Sequence, residues 1–389
     1  MRIARVLTRL NLGGPARQVM ASDPLLVERG HRVRVFAGSP GPGEGSLQRE
    51  LEGLGVEVVE IPGLRRGLSA LVTGGDLRAG ARLRRELTAF QPDIVHTHAA
   101  KAGALGRRAA RRAVPGARRL HTFHGHVLEG YFPAPLSRLL QGVEARLARE
   151  THRILAVSEA TGADLVRLGV VGQGEVEVVP PGVRLEGLLE LPERRGGRLR
   201  DQLSLHPDDV AIGVIGRLAP VKRTVLALDV FEDVALEFPA AHLVVAGDGG
   251  ERSRVEARRD RLPEEVRGRV HLLGAVQDVG PVHEALDVLL STSFAEGMPV
   301  AMIEAAAAAR PVVSTAVGGV PEVVRSGITG LFGVDRAGLA AALASLVGDA
   351  DRRVEMGRAA RERVGSRHSA HALADRLEDI YARMLGSGE

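Results

Sequence analysis

The chain has 389 residues, more than one comfortable hydrophobic core and enough for two domains with proper interiors. Apolar residues make up 44% of it, yet no run approaches the ~20 residues of a membrane span, and the absence of cysteine excludes a disulfide framework, a thiol nucleophile and a cysteine metal site. The net charge is only +4 despite a pI near 10.1, because arginine supplies nearly all the cations and Lys101 and Lys222 are the two lysines. With two tyrosines and no tryptophan to stack on bases, nucleic acid is not an expected partner.

The first residues, MRIARVLTRL, are too short and too charged for a secretory signal and read as a first strand, which makes the cytoplasm the default location. Asn11-Leu12-Gly13-Gly14-Pro15 follows at once. A glycine pair there lets a ligand approach the backbone, or simply makes a tight turn. Residues 18–29 have helical spacing interrupted at Asp23-Pro24, 33–36 form a second strand, 40–46 a loop, and 51–61 a helix end and a third strand. An amphipathic helix over 77–90 turns through Gln91-Pro92-Asp93 into a strand at 94–98 that contains His96 and His98.

The helix expected over 101–112 carries Arg107, Arg108, Arg111 and Arg112 near its end, with Arg118 and Arg119 shortly after. The group reads either as a solvated face that complements the helix dipole or as a basic surface for anionic lipid or a polyprenyl-phosphate acceptor. The stretch LHTFHGHVLEGY adds His121, His124 and His126, so five histidines gather at neighbouring strand ends. No carboxylate spacing accompanies them and strand-end histidines commonly satisfy backbone groups, so no metal is expected. A helix at 137–149, a strand at 154–157 running into a helix capped by Ser158, and a strand ending in Pro180-Pro181-Gly182 complete this half. Periodicity then fades over 184–203, where a linker is expected.

In the second half a strand at 211–215 delivers Gly216-Arg217, and Lys222 comes five residues later, at the head of the next helix. An arginine fork and a lysine point charge placed so can clamp a pyrophosphate. Gly247-Asp248-Gly249-Gly250, after another strand, lacks the spacing and downstream acid of a dinucleotide fingerprint. Asp349-x-Asp351 lies between two C-terminal helical stretches, where Asp351 reads as a cap.

The most informative stretch is 291–322, STSFAEGMPVAMIEAAAAARPVVSTAVGGVPE. A buried strand ends in small polar residues, Glu296-Gly297-Met298-Pro299 makes a turn, and an alanine-rich helix runs from Val300. A turn entering a helix offers unpartnered amides to an anion. Glu296 enters the turn and Glu304 follows eight residues later, so an anion site would lie between two carboxylates able to accept from hydroxyls, as a sugar nucleotide requires. The plainer reading is that both acids complement the positive end of the helix.

The wording E-G-M-P…E-A, then R-P-V-V and G-G-V-P-E, resembles the donor-binding signature of the retaining family-4 glycosyltransferases with the two-domain GT-B fold. Gly13-Gly14, P-D-I-V-H-T-H, His124-Gly125 and the Arg217-x4-Lys222 pair resemble further motifs of that family, in its order. Pro181 stands where many members have asparagine. The resemblance implies an α/β chain of two Rossmann-like domains facing across a cleft. The expected divisions are an acceptor-side domain over 1–183, a linker over 184–203, a nucleotide-sugar domain over 204–369, and a helix over 370–389 crossing back.

It further implies transfer of a hexose or N-acetylhexosamine from a nucleoside diphosphate sugar, UDP-linked on the similarity of H-T-F-H-G-H-V-L-E-G-Y-F to bacterial surface-glycan members, to a glycan or lipid-linked acceptor. Configuration would be retained by a same-face route in which the leaving phosphate takes the acceptor's proton, with no protein nucleophile, cofactor or metal. By the same resemblance Gly13 and Gly14 form the acceptor or phosphate loop, and His124 reaches the donor sugar, with His126 and His121 as second choices. Arg217, Lys222 and the turn Gly297, Met298, Pro299 and Val300 hold the diphosphate. Glu296 orients the sugar and Glu304 holds the ribose. A non-catalytic sugar-nucleotide binder on the same fold and a UDP-N-acetylglucosamine 2-epimerase-like enzyme are the alternatives, and a nicotinamide oxidoreductase lacks its fingerprint.

Overall fold

The computed structural model describes residues 1–41, 45–65, 74–125, 128–129, 132–192, 196–365 and 367–386. Two compact units emerge, one made of 1–182 with 370–389, the other of 183–369.

The first unit is built on a seven-stranded parallel sheet: β1 (Arg2–Arg9), β2 (Arg32–Gly38), β3 (Glu57–Glu60), β4 (Ile94–His98), β5 (Arg118–Phe123), β6 (Arg153–Ala156) and β7 (Val176–Val178), in the order β3-β2-β1-β4-β5-β6-β7. The second has six parallel strands: β8 (Val210–Ile215), β9 (Ala241–Ala246), β10 (Val270–Gly274), β11 (Val288–Ser291), β12 (Val312–Ser314) and β13 (Gly330–Phe332), in the order β10-β9-β8-β11-β12-β13. Both are doubly wound Rossmann orders, and both reverse direction beside their first strand. In the first unit β4 joins β1 with Ile3 opposite Ile94 and Val6 opposite Thr97. In the second β11 joins β8 with Val288 opposite Ile212.

The strands read as near-continuous apolar runs because helices cover both faces of a parallel sheet. One core packs Val210, Ile212, Leu243, Val245 and Leu290 under the helices Thr224–Glu237 and Arg336–Val347. In the first unit the helix Ala370–Leu385 lies against the helix Gly14–Glu28. Its buried residues Ala370, Leu373, Ala374, Leu377, Ile380 and Tyr381 follow helical spacing. Arg29 bonds to Asp375 at 2.5 Å and to Glu378 at 2.7 Å along the rim.

Several local expectations change. The helix Gly14–Glu28 runs straight through Pro24, and Asp23 is a fully buried partner of Arg5 rather than a break. Residues 184–203 carry two short helices, Glu186–Leu189 and Arg198–Gln202, and belong to the second unit. They are held there because Arg200, itself buried, donates to the carbonyls of Ala285, His206 and Asp209. Ser158 caps its helix by accepting from Thr161. Asp349, not Asp351, is the other cap, accepting from the amide of Arg352 at 2.9 Å.

Deleting residues 370–389 strips Leu373, Leu377, Ile380 and Tyr381 from the first core. At roughly 1.5–3 kcal/mol per buried apolar side chain, the loss approaches the whole stability of a typical domain, about 5–15 kcal/mol. The truncated chain is expected to lose protease resistance across 1–182 and keep it across 183–369. Equal resistance of both halves would show that this helix is dispensable.

Candidate functional site

In the second unit the loops after β8 and β11 leave from adjacent strand ends at the order reversal, and four hydrogen bonds stitch them together. The Thr292 hydroxyl donates toward the carbonyls of Lys222 and Arg223, at 3.0 and 2.9 Å. Arg223 Nε donates to the Thr292 carbonyl at 2.7 Å, and the Phe294 amide to Val221 at 3.0 Å. Lys222 ends a 3-10 turn, Pro220–Lys222, and precedes the helix that starts at Thr224. Its Nζ lies 2.5 Å from Glu296 Oε1, which also accepts from the Ser293 hydroxyl at 2.6 Å. Lys222 is 31% exposed and Glu296 10%, so the pair sits at the wall of a pocket rather than beneath it.

That pocket is lined by Gly216, Lys222, Thr224, Ser293, Glu296 and Pro299, among others. Pro299 caps the helix Val300–Ala307, whose first amides have no partner inside the helix. Gly297 is half-buried and Met298 buried behind the turn. Two glycines make this geometry possible. At Gly318, with φ +51°, a Cβ would lie 1.8 Å from the carbonyl oxygen of Glu296, and at Gly247 a Cβ would lie 1.9 Å from that of Gly216. Arg217 follows Gly216 directly and is half-buried, but it is not among the lining residues. Glu304 is buried on the helix, its carboxylate 3.9 Å from the buried His283, and does not line the pocket either. Ser293 and Thr292 are the residues here that sequence reasoning passed over, although the small polar end of the strand had marked them.

In the first unit Gly13 caps the helix that starts at Gly14, its carbonyl accepting from the amides of Ala16 and Arg17 at 3.1 Å. At the carboxyl ends of β4 and β5 three histidines converge: His98 Nδ1 lies 2.9 Å from His124 Nε2, and the His96 and His98 rings stack with centroids 4.2 Å apart. His121 does not join them, because it points to the opposite face of the sheet, where it bonds to Thr97 and lies against Gly103. His126 lies outside the described residues. Beneath them Arg5, 1% exposed, donates to the fully buried Asp23 at 2.7 Å and faces His96 and His98. Nothing in the sequence had pointed to Arg5, Asp23 or Tyr381, whose hydroxyl lies 2.7 Å from His96 Nδ1. Burial, with the added charge of Arg5, pushes the His124 imidazole down to about 3 and His96 well below the usual range. Burial and neighbouring imidazoles do the same to His98.

Of the basic helix, Arg107 is withdrawn from the surface into a buried pair with Glu144 at 2.5 Å, and Arg111 is paired with Glu150. Arg108, Arg112 and Arg118 stay exposed. Among the described residues no helix is long and apolar enough to cross a membrane.

Two Rossmann-like domains, each with candidate residues at its order reversal, define the GT-B class of glycosyltransferase. Residues 12–186 match Glycosyltransferase Family 4 and residues 209–349 match Glycosyl transferases group 1. A D-inositol 3-phosphate glycosyltransferase of Kineococcus radiotolerans is 30% identical over 395 aligned positions, covering 95% of this chain and 85% of the relative. The sucrose-phosphate synthase of Thermosynechococcus elongatus superposes with a TM-score of 0.81 at 19% identity, with all of both chains covered. Anabaena HepE, solved with UDP-glucose, superposes at 0.79 and 20% identity, over 98% of this chain and 100% of that one. The chain belongs to the group 1, family 4 glycosyltransferases and is an enzyme of the glycosyl-transferring class.

The buried histidines carry a consequence for stability. His96, His98 and His121 are neutral in the folded chain because burial holds their pKa values well below 6.5, whereas in the unfolded chain they take up protons near pH 6.5. The unfolded state therefore binds more protons, and stability falls as pH drops below about 6.5, by up to about 1.4 kcal/mol per pH unit for each imidazole. Denaturant melts at pH 7.5 and 5.5 are expected to show the first unit weakened at the lower pH. Identical midpoints would mean that these rings are protonated in the native state.

Proposed function

We propose that the enzyme transfers a hexose or N-acetylhexosamine from a UDP-linked donor to an acceptor hydroxyl with retention of configuration. The observation that carries this is the pocket at the β8–β11 reversal, where Lys222, Glu296 and Ser293 converge beside the first turn of the helix Val300–Ala307. The diphosphate lies against the unpartnered amides and Lys222, where fixed positive charge meets the negative charge that grows on the leaving group. Arg217 adds its fork from the same loop. Lys222 exchanges its bond to Glu296 for one to phosphate, and the released carboxylate accepts from sugar hydroxyls. Glu304 serves the ribose only if its buried carboxylate turns away from His283. The leaving phosphate takes the acceptor's proton, so no protein nucleophile, cofactor or metal is assigned.

The uridine base is supported by Anabaena HepE, solved with UDP, with UDP and glucose, and with UDP-glucose. For the acceptor, the resemblance of 121–132 to surface-glycan enzymes favours a glycan or lipid-linked hydroxyl in polysaccharide or glycolipid synthesis. The name of the Kineococcus relative favours a second class, a phosphorylated cyclitol. A cytoplasmic enzyme acting on lipid-linked acceptors would work at the inner face of the plasma membrane, with Arg108, Arg112 and Arg118 toward anionic headgroups.

Calorimetric titration with UDP, GDP and ADP, and then with their sugars, tests the donor. UDP and a UDP-sugar are expected to bind, and Lys222→Ala to weaken them at least about tenfold while changing unfolding free energy by no more than about 1 kcal/mol. Glu296→Gln is expected to keep UDP affinity and lower turnover by about 10². Turnover left intact in both variants would overturn these roles. Product anomers read by NMR, with inositol 3-phosphate and a polyprenyl-phosphate sugar as rival acceptors, decide stereochemistry and acceptor class.

For the membrane contact, Arg108→Glu with Arg112→Glu is expected to abolish sedimentation with phosphatidylglycerol vesicles and spare UDP binding. Unchanged sedimentation would remove the membrane from this account.

A further inference from the structure

The histidine cluster is wired to a group that can only donate. Arginine has five N–H donors, no acceptor, and does not lose its proton in proteins. Arg5 spends Nε and one terminal nitrogen on Asp23 and Ser22, at 2.7–3.2 Å. Its other terminal nitrogen faces His96 Nδ1 and, at 3.4 Å, His98 Nε2. Both ring nitrogens must therefore present lone pairs. The Tyr381 hydroxyl, kept protonated because burial pushes its pKa up, also faces His96 Nδ1 at 2.7 Å. His96 is then protonated on Nε2, 2.7 Å from the Thr122 hydroxyl oxygen, which accepts.

The same logic runs outward along the second arm. A neutral His98 with a lone pair on Nε2 carries its proton on Nδ1, and that nitrogen lies 2.9 Å from His124 Nε2. His124 Nε2 accepts, so the remaining proton of the neutral His124 ring is on Nδ1. His98 is 1% exposed while His124 is half-buried, and among the described residues His124 has no other hydrogen-bond partner. A separate backbone observation falls at the same place. Ala99, next after His98, has φ 61° and ψ 161°, a region essentially confined to glycine. Such strain of about 1–3 kcal/mol persists where the surroundings over-determine a conformation, and here it falls at the exit of β4, directly after the ring that ends the strand.

We propose that Arg5 and His98 are positioning residues that set the tautomer of His124, so that it meets its ligand as a neutral Nδ1–H donor to an oxygen rather than as a base. The ligand class is a sugar hydroxyl or ring oxygen, which rests on the reading of His124 as a sugar-contacting residue. His98 then matters through the proton it gives to His124 and not through its bulk or charge. Asparagine at position 98 can place an amide N–H near the position of Nδ1, whereas leucine cannot.

Long-range proton–nitrogen NMR of the full chain labelled with nitrogen-15 histidine reads this directly at pH 7, with His98→Asn and His124→Gln used for assignment. Protonated Nδ1 and bare Nε2 are expected on both rings. A proton on His124 Nε2, or an imidazolium at either position, overturns the proposal. In steady-state transfer assays His98→Leu is expected to lower kcat about tenfold, the worth of one well-placed hydrogen bond, with the donor KM nearly unchanged. His98→Asn is expected to recover most of the loss, and equal damage by both variants overturns the proposal. Arg5→Met is expected to move the His98 proton to Nε2; if that variant does not fold, the wild-type spectrum and the position-98 pair still decide. Absence of sugar transfer by the wild type would count against the proposed reaction, while the nitrogen spectra would still decide the tautomers.

Discussion

A parallel strand can be followed only by a crossover, and crossovers in a twisted sheet keep one hand. Where the strand order reverses, the chain therefore leaves two adjacent strands toward opposite faces, and the loops at their carboxyl ends part to leave a crevice. Each sheet here has one such place, between β1 and β4 and between β8 and β11. Among the described residues, Gly13, Gly14, His96, His98 and His124 collect there in one unit, and Lys222, Glu296 and Ser293 in the other. The four hydrogen bonds between the loops after β8 and β11 turn that crevice into a site, because loops left to separate could not hold a lysine and a carboxylate 2.5 Å apart.

The first unit meets a harder physical problem at its reversal. A guanidinium buried to 1% is tolerable only if its charge and its donors are satisfied. Asp23 supplies the charge, Ser22 an oxygen, and the histidines the remaining lone pairs. Removing one member of such a buried pair typically costs about 3–5 kcal/mol, because the survivor is left unpaired. The arrangement explains why a helix carries Pro24 without ending: Asp23, beside it, is anchored to the strand below.

The legible parts of the sequence were those in which chemistry and local backbone coincide. Glu296-Gly297-Met298-Pro299 before an alanine-rich helix, and Gly216-Arg217 with Lys222 after a strand, announce a turn, a helix start and charge within a few residues. The α/β class followed from alternating helix-like and strand-like runs in the same way, and the two Rossmann-like domains from the family resemblance. What stayed hidden depends on contacts distant in sequence. Tyr381 reaches His96 across 285 positions, and Arg107 finds Glu144 only once two helices pack. Neither pairing leaves a local trace, since an arginine at the end of an amphipathic helix looks the same whether solvent or a carboxylate awaits it. Glu304 shows the complementary limit: spacing put it one turn along the helix, but not on which side of it the carboxylate would fall.

The helix Ala370–Leu385 completes a core whose other members lie in the first 182 residues, while the second unit is a single uninterrupted stretch. The order of synthesis and the order of completion are therefore inverted. As the chain emerges, residues 183–369 can close their core while the first unit still lacks the apolar stripe that covers Leu26 and its neighbours. The first unit is thus completed after the second, and while residues 183–369 are being made it carries an open apolar face of the kind that chaperones recognise.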